Sequence, residues 1–159
     1  MVTKYARIEG GGRIKMPAPC RRGKKISIIG AVSASKVEAA LYGEWSTNGE
    51  IFYQFVEQRL VPCLKKGDIV VMDNINFHAQ ERVIEKIRLR GAQVMFLPPY
   101  SPDFSPIENM WSKIKCTLRR LMPRTPRQFR KSIRLAFEEI TGPDLSGWFK
   151  HCGYHAQSI

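Results

Sequence analysis

A chain of 159 residues with 43% hydrophobic and 25% charged residues can bury one core, which excludes wholesale disorder. No apolar run approaches the roughly 18 residues of a membrane span, no apolar stretch follows the N-terminal charges as in a secretory signal, and the four cysteines, Cys20, Cys63, Cys116 and Cys152, form no CxxC pair. Lys and Arg outnumber Asp and Glu by 26 to 14, a net charge of +12 that points to a polyanionic partner, usually nucleic acid.

In chain order, residues 9–23 are rich in Gly and Pro and read as part of an irregular basic arm over 1–24. Its GGGR has no Walker lysine-serine pair after it, so a phosphate loop is not supported. Residues 25–32 (KISIIGAV) read as a strand, with 37–42 as its hairpin partner. Thr47-Asn48-Gly49-Glu50 is a capping-box sequence. Phe52, Phe55, Val56, Leu60 and Leu64 then keep helical spacing to about Lys65. Gly67 breaks that helix, and residues 69–72 form a short apolar strand ending in Asp73. A helix over 81–90 closed by Gly91, an apolar strand over 93–97 and a rigid Pro-Tyr-Ser-Pro loop follow. Pro106 opens the next helix, whose apolar stripe is Ile107, Met110, Trp111, Ile114 and Leu118. Thr125-Pro126-Arg127-Gln128 caps a last helix with stripe Phe129, Ile133, Ala136, Phe137 and Ile140; Gly142-Pro143 ends it, and the tail to Ile159 is read as featureless. A hairpin followed by alternating helices and strands is an α/β pattern. The expected organisation is an arm over 1–24, a core over 25–120, and a basic helix and tail over 121–159.

The positive charge is concentrated. Residues 1–25 carry eight basic residues against Glu9 alone, and residues 113–134 carry nine against no acid, leaving the rest of the chain at net −4. A solvated face explains one such block; two separate acid-poor blocks favour phosphate binding.

Two carboxylates sit where chemistry is expected. Asp73 follows an apolar strand, the end at which α/β sheets bind ligands. Glu108 is the third residue of its helix, behind Ser105. Taken singly, the first reads as a turn aspartate and the second as a capping glutamate. Taken together, they can converge on one hard divalent cation, Mg²⁺ or Mn²⁺, and two such ions support phosphodiester chemistry. Lys115 and Arg119 lie further along the same side of that helix, suited to DNA phosphates. His151, Cys152 and His155 cluster in the tail, but three donors there make a poor case for zinc.

The run VVMDNINFH over 70–78 and FLPPYSPDFSPIENMWSKIK over 96–115 resemble the catalytic core of mariner-type transposases and their bacterial insertion-sequence relatives, the DDE superfamily endonucleases. The 34 residues between Asp73 and Glu108 match the spacing of that family's last two catalytic acids, and RRGKKISIIGAVS over 21–33 resembles its early strand. The resemblance implies a ribonuclease H-like mixed sheet flanked by helices, and Mg²⁺- or Mn²⁺-dependent DNA cleavage and strand transfer. It implies that Asp73 and Glu108 are catalytic metal ligands. Lys113, Lys115, Arg119, Arg120 and Tyr100 are the candidate DNA contacts, with Asn74 and His78 auxiliary. It also implies transposon ends and target DNA as partners, a homo-oligomer when complete, and a cytoplasmic, nucleoid-associated bacterial protein. Ser105 replaces the asparagine usual before Pro-Ile-Glu. The chain departs more seriously at its start. Its first aspartate is Asp68, so the family's first catalytic aspartate, its strand and the helix-turn-helix before it are expected to lie outside this chain. A separate upstream polypeptide is one source of them. Loss of that strand would separate the hairpin from the strand ending in Asp73, with residues 1–8 a poor substitute. The competing reading is a non-catalytic DNA-binding remnant or adaptor.

Overall fold

The computed structural model describes residues 5–7, 13–15, 26–73, 80–99 and 101–154. It divides into two compact units, residues 1–24 with 112–139, and residues 25–111 with 140–159.

The larger unit is built on two strand pairs. β3 (Ser27–Val32) runs antiparallel to β4 (Val37–Gly43), with Ile28 opposite Tyr42 and a bulge between Ala31 and Val32. β5 (Ile69–Met72) runs parallel to β6 (Gln93–Phe96), with Val70 opposite Val94. Among the described residues neither pair bonds to the other.

Between them, α1 (Gly49–Phe55) is capped by Asn48, whose side-chain oxygen accepts from the Ile51 N–H at 2.9 Å. The expected Thr47 box is therefore displaced by one residue: Asn is as good a cap as Thr, and Asn48 is the residue in extended backbone before the first turn. The helix does not run regularly to Lys65. It widens into a π turn over Val56–Leu60 and tightens into a 3₁₀ turn over Val61–Cys63 at Pro62. The predicted apolar stripe holds: Phe52, Phe55, Val56 and Leu60 are buried with Ile29, Met72, and with Val83 and Ile87 of α2 (Glu81–Arg88). Gly91 ends α2 with φ of +75°, a conformation other residues adopt at a cost. Charges fasten α2 to the α1 segment. Lys86 meets Glu57 at 2.6 Å and Arg82 meets Glu50 at 2.8 Å, the Arg82 guanidinium lying 4.4 Å above the Tyr53 ring.

Strand alternation turns Gly30 to the side opposite Ile29. There α3 (Pro106–Leu121) approaches so closely that a β-carbon on Gly30 would lie 3.0 Å from the Trp111 ring. α5 (Gly142–His151) corrects the reading of a featureless tail. Thr141 accepts from the Asp144 N–H while the Asp144 carboxylate accepts from the Thr141 N–H at 2.8 Å, and Leu145 is buried.

In the smaller unit the basic arm is not wholly irregular. β1 (Tyr5–Arg7) pairs antiparallel with β2 (Arg13–Lys15), Ala6 opposite Ile14. Among the described residues Tyr5–Arg7 pairs with β2. The alternating residues Arg13, Ile14 and Lys15 suit a short strand, a signal the glycines around them hid. Residues 112–121 of α3 and α4 (Pro126–Glu138) complete this unit. The Thr125 box is present, and Ile133 and Ala136 are buried as their spacing predicts.

Candidate active site

β5 delivers Asp73 to the end of the strand. The Leu97 N–H donates to the Met72 carbonyl at 2.8 Å, the last rung before Asp73 leaves the ladder. Glu108 stands in the first turn of α3, its N–H donating to the Ser105 carbonyl at 3.0 Å. A carboxylate is favoured there by the positive end of the helix dipole. Both side-chain positions are exposed. With 34 residues between them in sequence, the two line a single cavity of about 890 Å³.

That cavity also receives Glu38 and Asp68. Glu38 pairs with Lys36 at 3.1 Å, and Asp68 accepts from the Lys65 N–H at 2.7 Å. Two exposed carboxylates fit a hard cation that completes its shell with water and phosphate oxygens. Among the described residues no cluster of three or more Asp, Glu, His or Cys side chains accompanies them.

Asn74, His78 and Tyr100 lie outside the described residues. Lys115 and Arg119 are exposed on α3. Arg120 is committed to Glu139, which also accepts from the Thr117 hydroxyl at 2.7 Å. The Thr117 bond, then the Arg120 charge, hold the Glu139 carboxyl below its ordinary value; the nearby Lys113 adds to this. Lys113 and Arg120 are thereby partly neutralised as phosphate contacts. On α4, Arg127, Arg130 and Lys131 are exposed, and Arg134 pairs with Glu138 at 3.2 Å.

Two lining residues were not legible as such. Phe149 and Tyr154 reach the cavity from the α5 segment, Tyr154 donating to the Phe104 carbonyl at 2.9 Å. The signal that would have found them is Thr141-Gly142-Pro143-Asp144, the same box-with-proline pattern recognised at Thr125. Cys152 is buried with its sulfur 3.9 Å from the Asn109 amide nitrogen, and His155 lies outside the described residues.

The fold is similar to solved structures of Mos1 transposase. It matches the Mos1 transposase paired-end complex with left transposon end at a TM-score of 0.76 and 17% identity, covering 96% of this chain and 47% of that one. It matches the Mos1 strand transfer complex at 0.72 and 17% identity, covering 100% and 51%. A pre-cleavage Mos1 transpososome matches at 0.70 and 15%, covering 100% and 52%. The chain thus spans about half the length of these proteins. No curated protein matches it. The DDE superfamily endonuclease family matches residues 1–130, and with an α/β fold like the Mos1 catalytic domain and its carboxylates on one cavity, the chain belongs to that family.

Proposed function

We propose that this chain is part of the ribonuclease H-like catalytic domain of a DNA transposase, with Asp73 and Glu108 as two of its metal-binding acids. The observation that carries the reading is that both carboxylates reach one cavity, one from a strand end and one from a helix start. When bound, Mg²⁺ or Mn²⁺ would polarise a phosphodiester and activate the attacking oxygen. The protein's own share is to present the two carboxylates at the cavity and to carry DNA on exposed cations, Lys115 among them. Transposon-end DNA is the substrate class this suggests, since the Mos1 structures include a complex with a left transposon end.

Two carboxylates are too few to fix two ions about 3.5–4 Å apart. On this reading the two carboxylates hold a cation weakly beside bound DNA. Mn²⁺ titration of the wild type, Asp73→Asn and Glu108→Gln tests this: each substitution abolishes binding. Identical titrations for all three would reduce Asp73 to a turn residue and Glu108 to a cap. Nicking by the chain alone, lost in Asp73→Asn, would show that the site is complete. The second reading, a non-catalytic DNA-binding adaptor, is favoured by the lack of a three-residue ligand cluster among the described residues. It predicts DNA binding with no response to Mn²⁺.

A further inference from the structure

We propose that Tyr154 is a positioning residue for Glu108: the end of α5 clamps the turn from which Glu108 enters the cavity. The inference rests on the reading of Glu108 as a metal-binding acid. The turn needs such a clamp. Residues 102–104 make a single 3₁₀ turn, in which the Ser105 N–H donates to the Pro102 carbonyl at 2.9 Å. The Glu108 N–H then donates to the Ser105 carbonyl at 3.0 Å. Pro106 and Met110 are buried and anchor the first turns of α3 from within. Pro102, Asp103 and Phe104 before them are all exposed, so packing alone holds that side of the turn weakly. Glu108 is exposed too, and its carboxylate stands where the turn puts it.

α5 ends in a cap that fixes one side chain. Gly153 takes a φ of +85°, the left-handed conformation that glycine adopts at least cost. Its N–H donates to the Lys150 carbonyl at 3.1 Å, and the Tyr154 N–H donates to the Phe149 carbonyl at 2.9 Å. These are the two bonds of a Schellman cap, and the apolar contact that accompanies such a cap is present as well. The Phe149 and Tyr154 rings meet with centroids 5.8 Å apart. The Tyr154 ring is therefore tied to α5, and α5 is held by buried Leu145 and by the Thr141–Asp144 box.

From that fixed ring the hydroxyl donates to the Phe104 carbonyl at 2.9 Å, four residues before Glu108. Burial, with Cys152 adding to it, raises the Tyr154 pKa above its ordinary value, so the hydroxyl keeps its proton and stays a donor at neutral pH. A second tie comes from the same cap. The buried Cys152 sulfur lies 3.9 Å from the amide nitrogen of Asn109, the residue after Glu108. The cap thus touches the chain on both sides of Glu108, while Phe149 and Tyr154 share the cavity with its carboxylate. Groups that orient a ligand without touching the metal set its affinity nearly as strongly as the ligand itself.

The test separates positioning from packing. Tyr154→Phe keeps the ring and the cap, and at this exposed bond water takes over the Phe104 carbonyl, so the fold survives. Mn²⁺ is titrated into the full chain and the free ion is counted by electron paramagnetic resonance. Tyr154→Phe is expected to weaken Mn²⁺ binding by about three- to ten-fold, the size one net hydrogen bond supplies, with the urea midpoint unchanged. Tyr154→4-aminophenylalanine, whose amine donates where the hydroxyl did, restores wild-type affinity. Tyr53→Phe removes a hydroxyl bonded to Glu57 at 3.0 Å and leaves Mn²⁺ binding as in wild type. Wild-type affinity in Tyr154→Phe, with binding lost in Glu108→Gln, overturns this inference alone. Weakened binding that the amine does not restore, or that comes with a lowered urea midpoint, assigns Tyr154 to packing and overturns it too. No Mn²⁺ binding by the wild type overturns the reading of Glu108, and with it the role given to Tyr154.

Discussion

The ring of Trp111 lies against the backbone of Gly30, where an added β-carbon would meet its Cη2 atom at 3.0 Å and the Met110 Cε at 3.4 Å. A glycine in a strand costs about 0.5–1 kcal/mol relative to alanine, so the contact has to be worth keeping. Trp111 is half-buried at the cavity wall and can shift by a few tenths of an ångström. Gly30→Ala is therefore expected to change stability by less than about 1 kcal/mol, and Gly30→Val to destabilise by about 1–3 kcal/mol through overpacking. Urea unfolding measures both. A neutral Gly30→Val would mean that α3 does not press on β3 here.

Glu139 links stability to pH. Its carboxyl is held below the ordinary value of 4.5, first by the Thr117 hydroxyl and then by Arg120. A depressed carboxylate contributes stability that is fully present above its unfolded value and is lost as pH falls through the folded one. Glu139→Gln is expected to lower the urea midpoint at pH 7, with the gap to wild type closing as pH falls below the ordinary carboxylate value. A gap that persists in acid would assign the loss to packing instead of charge.

The thiols should separate in reactivity. Cys116 is exposed, whereas burial, reinforced by the charge of Asp103, pushes the Cys152 thiol up. Because the thiolate is the nucleophile, iodoacetamide at pH 8 is expected to modify Cys116 well before Cys152, and both alike in urea. Peptide mass mapping reads the order. Equal rates in the native protein would place Cys152 at the surface.

DNA affinity should follow which cations are open. Lys115→Ala is expected to weaken binding equally on unrelated duplexes and to reduce the slope of log K against log salt by about 1. Arg134→Ala, whose guanidinium is shared with Glu138, should change it less. Affinity that barely moves between about 50 and 200 mM salt would remove the electrostatic account altogether.

The sequence was most legible where one residue type decides a local structure. Thr125 with Gln128 capped a helix, Gly91 closed one, and the spacing of Phe52, Phe55, Val56 and Leu60 marked a buried face. It was least legible where signals competed. Pro143, which with Gly142 reads as the end of the helix before it, is the first-turn proline of α5. Gly10, Gly11 and Gly12 masked the pairing of Tyr5–Arg7 with Arg13–Lys15. The spacing of Asp73 and Glu108 carried the family resemblance, but that both reach one cavity depends on how β5 and α3 pack. The same holds for Phe149 and Tyr154, whose place at the cavity follows from α5.

Open strand edges are also adhesive. Among the described residues β3 and β5 are each bonded on one side, and such edges are templates for sticking to other copies, the usual seed of aggregation. The +12 charge works against this, because like-charged molecules repel before their edges meet. That protection is only as long as the screening length, about 10 Å at 0.1 M salt and about 3 Å at 1 M. Charge is therefore expected to keep copies apart in dilute buffer and to do so less as salt rises, which light scattering would read. Nucleic acid, by neutralising that charge, would bring copies together.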